Sequence, residues 1–98
     1  MADVELKIKG NSIEVTPYDL STSEGKDIEF SAGDLPFKIL FHEVTPSPLN
    51  GDVGHKSRRA KVKKGTGGNK RYRYAVAIYA TDKDEVYLLA DCPSIIVN

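Results

Sequence analysis

Apolar and polar residues alternate with a period of two along most of the chain. Val4, Leu6 and Ile8 interleave with Glu5, Lys7 and Lys9, and Ile13 and Val15 resume the pattern after Gly10-Asn11. Such alternation gives a strand one apolar and one charged face. Two alternating runs joined by Gly-Asn predict a β-hairpin, because glycine readily takes the positive φ of the first turn position. Residues 18–26 are polar, end near Gly25 and read as a loop. Ile28 and Phe30 define a short strand over 27–30, and residues 31–34 a turn. A stronger strand covers 36–42, with Phe37, Ile39 and Phe41 on one face and Lys38, Leu40 and His42 on the other.

Pro46, Pro48, Asn50-Gly51 and Gly54 make 43–57 a long loop. Residues 59–64 form a strand with Ala60 and Val62 inward, and 65–69 a flexible, mobile turn. The clearest strand is 71–80, where Tyr72, Tyr74, Val76 and Ile78 share one face. Arg71, Arg73, Ala75, Ala77 and Tyr79 share the other. A turn over 81–84 returns the chain along 85–90 with Val86 and Leu88 aligned, and 95–97 makes a last short strand. No run has helical spacing over the ten to twelve residues, roughly, that a stable helix needs. Seven or eight closely spaced strands predict an all-β fold, an antiparallel two-sheet β-sandwich of immunoglobulin or cupredoxin-like kind.

The 98 residues make one domain over 1–98 with one modest core. At 40% hydrophobic and 29% charged, the composition is that of an ordinary globular protein. The single cysteine, Cys92, excludes an intrachain disulfide and reads as a small buried apolar residue. No stretch reaches the roughly 20 apolar residues of a membrane span. The charged, alternating start lacks the pattern of a signal peptide, so the chain as written reads as cytoplasmic.

Three stretches together carry a resemblance: DIEFSAGDLPFKILF from Asp27, TPSPLNG from Thr45, and YRYAVAIYATDKDEVYLLADCPSIIV from Tyr72. A strand, an acidic turn, a Phe-rich strand and a Ser-Pro loop precede a Tyr-rich hairpin. This arrangement resembles small bacterial cupredoxin-like domains. Copper-binding cupredoxins use one early His and a late Cys, His and Met set, which supply a thiolate, two imidazoles and a weak axial thioether. The candidates here are His42, His55, Cys92 and Met1, and only Pro93 to Asn98 follow the cysteine, with no His or Met. The resemblance therefore implies a cupredoxin-like fold with no metal and no other cofactor.

Charge separates along the chain. Residues 1–54 hold ten acids and four lysines, a net of −6, and residues 55–98 hold ten Lys/Arg and four acids, a net of +6. Residues 56–73 carry nine basic side chains and no acid. Arg58, Arg59, Lys61, Lys63, Lys64, Lys70, Arg71 and Arg73 are the candidate surface for a polyanion or a protein partner. If the two basic strands adjoin, they form a β-ribbon able to lie along phosphates. The competing expectation is a solvated face whose bases pair with N-terminal acids across strands, at about 0.2–1 kcal/mol per pair.

No catalytic signature emerges. The Gly-rich run 65–70 misses the phosphate-loop spacing and opens a strand, where a phosphate loop opens a helix. His42 and His55 converge on nothing recognisable, with Glu43 or Asp52 as chance third ligands. Asp82, Asp84 and Glu85 sit in a turn, where Asp is at home. The expectation is a non-enzymatic binding or accessory module acting through charged patches, with a protein partner and weak self-association ahead of nucleic acid, and no membrane. The alternative is polyanion binding through residues 56–73.

Overall fold

Alternation becomes nine strands in a computed structural model that describes residues 2–41, 47–54, 57–89 and 93–98. They are β1 Val4–Lys9, β2 Ser12–Thr16, β3 Asp19–Thr22, β4 Asp27–Ser31, β5 Phe37–Phe41, β6 Arg59–Lys61, β7 Lys70–Ala80, β8 Glu85–Leu89 and β9 Ser94–Val97. No helix occurs among the described residues. One sheet has the order β2-β1-β4-β6; the other runs β3-β9-β7-β5, with β8 also paired to β7.

The expected hairpin forms β1 and β2, with Lys9 opposite Ser12 and Gly10 at φ +63°. In most strands the apolar face of the alternation is the buried one. Val4, Leu6, Ile13, Val15, Ile28, Phe30, Ala60 and Val62 from one sheet meet Phe37, Ile39, Tyr72, Tyr74, Val76 and Ile78 from the other. Tyr74 is fully buried between two phenylalanines. Its ring meets Phe30 edge-on at 5.8 Å and Phe41 at a tilt at 5.6 Å.

The topology departs from the sequence reading in three ways. Residues 18–26 contain a strand, β3, which lies parallel to β9 from Asp19↔Ser94 to Thr22↔Val97. Its polar residues leave little apolar signal, because only Leu20 packs on the core. The sheets are also mixed: β1 and β4 are parallel, paired at Val4↔Phe30 and Glu5↔Ser31. Finally, β6 and β7 do not adjoin. β6 pairs with β4, and β7 with β5, β8 and β9, so residues 62–69 cross from one sheet to the other.

That crossover is tethered at several points. The Gly67 amide donates to Glu24 Oε2 at 2.9 Å, the Tyr72 hydroxyl to the Thr66 carbonyl at 2.9 Å, and the Thr66 hydroxyl to the Lys63 carbonyl at 2.6 Å. The expected mobile hairpin tip is thus a strap between sheets. On one side of the sandwich, residues 47–54 cover two strand edges. Leu49 bridges Val62 beside β6, and the Val53 carbonyl accepts from the Ile39 amide of β5. Both Leu49 and Val53 are buried and close that side of the core.

Candidate binding surface

The basic residues proposed as one surface divide between two sheets. Arg59 and Lys61 point outward from β6 and face acids of β4 in register: Arg59 Nη2 lies 3.6 Å from Glu29 Oε1, and Lys61 Nζ 3.8 Å from Asp27 Oδ1. On the other sheet Arg71 Nη1 reaches Asp19 Oδ1 at 3.1 Å and also donates to Ser94 Oγ at 3.1 Å. In these three pairs a base of the C-terminal half meets an acid of the N-terminal half. The −6 and +6 segments therefore interleave in space. Arg58, Lys63, Lys64, Lys70 and Arg73 have no acid partner among the described residues. Lys56 lies outside the described residues.

Met1, His42, His55 and Cys92, the candidate copper ligands, also lie outside the described residues, as does Glu43. Asp52, the other suggested third ligand, stands 3.9 Å from Lys38 Nζ. Among the described residues no three His, Cys, Asp or Glu side chains cluster to hold a metal.

A groove of 720 Å³ runs along β1. It exists because β4 pairs only with Val4 and Glu5 before turning away at Ala32, while β1 continues to Lys9. Leu6, Ile8, Leu35 and Ile78 line it, with Glu5, Lys7 and Glu14 also on its walls. It joins apolar side chains to charged ones.

The outer face of the second sheet is different. Leu88, Val86 and Leu40 are 71%, 63% and 51% exposed. Register brings them together: Leu40 stands opposite Ala75, Leu88 opposite Ala77, and Val86 opposite Tyr79. These residues make one apolar stretch across β5, β7 and β8, flattened in the middle by the two alanines. Val86 and Leu88 share a face as the alternation required, but that face points to solvent. The buried side of β8 carries Leu89 and the half-buried Tyr87.

Charges flank this stretch along β7. At one end stand Arg73 and then Arg71; at the other the Tyr79 hydroxyl donates to Asp84 Oδ1 in the turn after β7. The sequence reading missed this surface. Its signal was the outward face of β7, which changes from Arg71 and Arg73 to Ala75, Ala77 and Tyr79.

No family model, no curated protein and no solved structure matches this chain. The surface must therefore be read from its own chemistry. Exposed apolar side chains that stand together rather than singly are candidates for a docking surface. Protein-binding patches set apolar anchors within a polar rim; here the charges beside the stretch are Lys38, opposite Ala77 on the same face, and Arg73 along β7.

Proposed function

We propose that this chain is a non-enzymatic binding module whose working surface is the outer face of the β5-β7-β8 sheet. One observation carries the reading: Leu40 of β5 and Val86 and Leu88 of β8 are largely exposed on one face, on either side of the Ala75-Ala77 strip of β7. Burying such side chains is worth about 25 cal/mol per Å² of apolar surface removed from water. Charged residues at the ends orient a partner and speed encounter more than they add affinity. The cupredoxin-like resemblance fits this reading as a scaffold put to a non-metal use.

A photo-crosslinking side chain at position 88 tests it in extract of the source cells. The expected result is a discrete adduct from position 88, lost when Leu40→Asp is added. The same probe at Lys7, on the first sheet, should give none. Equal adducts from both positions, or none from position 88, would reject the surface.

A second reading rests on Lys63 and Lys64 within the crossover and Lys70 at its end, none with an acid partner among the described residues. These lysines would hold a polyanion. Binding would show as retention on heparin that weakens steeply with salt, because each phosphate-type contact releases a counterion. Absence of an oligonucleotide shift at about 50 mM salt would remove this reading.

A further inference from the structure

Resting on the binding face just described, we infer that its partner is an acidic segment of another protein, whose apolar side chains settle on the Ala75-Ala77 strip while its carboxylates reach Lys38 and Arg73. The strip is the floor of a shallow trough along β7. Leu40 and Lys38 of β5 stand on one side of it, and Leu88 and Val86 of β8 on the other. β5 and β8 lie two strand spacings apart, about 10 Å, which admits one row of side chains between their walls. Tyr79 closes one end of the trough and Arg73 the other.

The charge around the trough is of one sign. Lys38 stands opposite Ala77. Arg73 lies two residues before Ala75 on the same outer face and has no acid partner among the described residues. Asp52 is 3.9 Å from Lys38 Nζ, but its side chain is 94% exposed. So open a pair contributes little, and a docked carboxylate can take its place. Among the described residues, the one acid on an outward strand position of this sheet is Asp19, and Arg71 and Ser94 hold it. Asp82, Asp84 and Glu85 lie at the far end, in the turn after Tyr79 and at the start of β8. They repel a carboxylate there, so the partner's acids gather toward Arg73, which fixes its direction along β7. A second copy of this chain fits poorly, because it presents the same bases to Lys38 and Arg73.

Fluorescence anisotropy with three labelled, terminally blocked peptides tests the inference on the full chain. The first has two central leucines flanked by aspartate and glutamate. The second has lysine and arginine in place of those acids, and the third keeps the acids but has serine in place of the leucines. Protein is titrated from about 10 μM to about 1 mM, the range of weak binding. The first peptide should bind at least about tenfold more tightly than either of the others, and added salt should weaken it. Lys38→Glu combined with Arg73→Glu, both at exposed positions, should reverse the order of the acidic and basic peptides. Leu88→Asp should abolish binding of both, as expected for a central anchor. Circular dichroism of each variant confirms folding. In extract, the adduct from position 88 should disappear with the double charge variant.

Equal affinity for the acidic and basic peptides would overturn the acidic partner while leaving the face in place. An extract adduct indifferent to Lys38→Glu with Arg73→Glu would do the same. The inference also fails if the acidic peptide does not bind at about 1 mM, or if the pure chain rises above 10.8 kDa through contacts that Leu88→Asp removes. Absence of any adduct from position 88 rejects the face and the inference together.

Discussion

Arg71 and Asp19 belong to strands that do not touch, yet their charged groups meet at 3.1 Å. β9 lies between them, and its Ser94 completes the contact. Ser94 Oγ donates to Asp19 Oδ1 at 2.6 Å and accepts from Arg71 Nη1 at 3.1 Å. Neighbouring strands are about 4.8 Å apart, so the arginine spans two steps of the sheet. Ser94 is 1% exposed, whereas both charged side chains remain about half exposed. Ser94→Ala should lower stability by about 1–2 kcal/mol, since a buried hydroxyl loses two bonds to charged groups. The direct coupling of Asp19 with Arg71, from a double-mutant cycle, should stay below about 1 kcal/mol. Urea unfolding measures both, and an unmoved midpoint for Ser94→Ala would contradict the assignment.

Tyr74 presents the reverse case, a buried hydroxyl with no hydrogen-bond partner among the described residues. Its ring is anchored by Phe30 and Phe41, so the aromatic packing does not depend on the oxygen. An unpaired buried polar group costs roughly 1–3 kcal/mol. Tyr74→Phe should therefore be neutral or raise the urea midpoint by the equivalent of about 1 kcal/mol. A clear loss of stability would mean that the hydroxyl is satisfied.

The same tyrosine makes the fold sensitive to alkali. Burial above all, with the nearby Asp19 carboxylate and Tyr18 adding to it, pushes the Tyr74 phenol well above its ordinary value of 10.0. Tyr79 moves in the same direction, mainly through its hydrogen bond to Asp84 and less through burial. Below pH 10 both folded and unfolded chains keep the Tyr74 proton, and its contribution is fully present. Above pH 10 the unfolded chain releases the proton while the folded chain holds it, so stability falls as pH rises. For Tyr74 the slope approaches about 1.4 kcal/mol per pH unit. Phenolate absorbance should show Tyr74 ionising only as the fold is lost, and Tyr74→Phe should move that transition to higher pH. Smooth ionisation of all five tyrosines with the fold intact would refute this.

Gly67 sits where a side chain has no room. A Cβ there would lie 2.6 Å from Glu24 Oε2 and 2.7 Å from the Asn98 carbonyl oxygen. The carboxylate can swing away. The Asn98 backbone is held through its amide, which donates to the Thr22 carbonyl at 2.9 Å. Gly67→Ala should cost about 1–3 kcal/mol, as overpacking does, and should loosen the crossover from the Glu24 carboxylate. Gly65 offers the contrasting control: it has open space around it but φ +85°, so Gly65→Ala meets backbone strain without a clash. Thermal unfolding and hydrogen exchange at the Gly67 amide distinguish the two. Fast exchange of that amide in the wild-type chain would contradict the tether.

The sequence by itself determined side-chain parity. In β1, β2, β4, β5 and β7 it separated inward from outward residues, because a strand must turn successive side chains to opposite faces. It also fixed the Gly10 hairpin, whose strands are sequence neighbours and whose turn chemistry is local. It did not determine which strands adjoin. The crossover at 62–69 has the glycines of a hairpin yet joins different sheets, and β3 owes its pairing to β9, about 75 residues away. Only the tertiary structure decided that Arg59 and Lys61 meet the acids of β4, and that Val86, Leu88 and Leu40 face water together. Parity is a property of one strand, whereas neighbours and exposure arise from distant segments competing to cover one core.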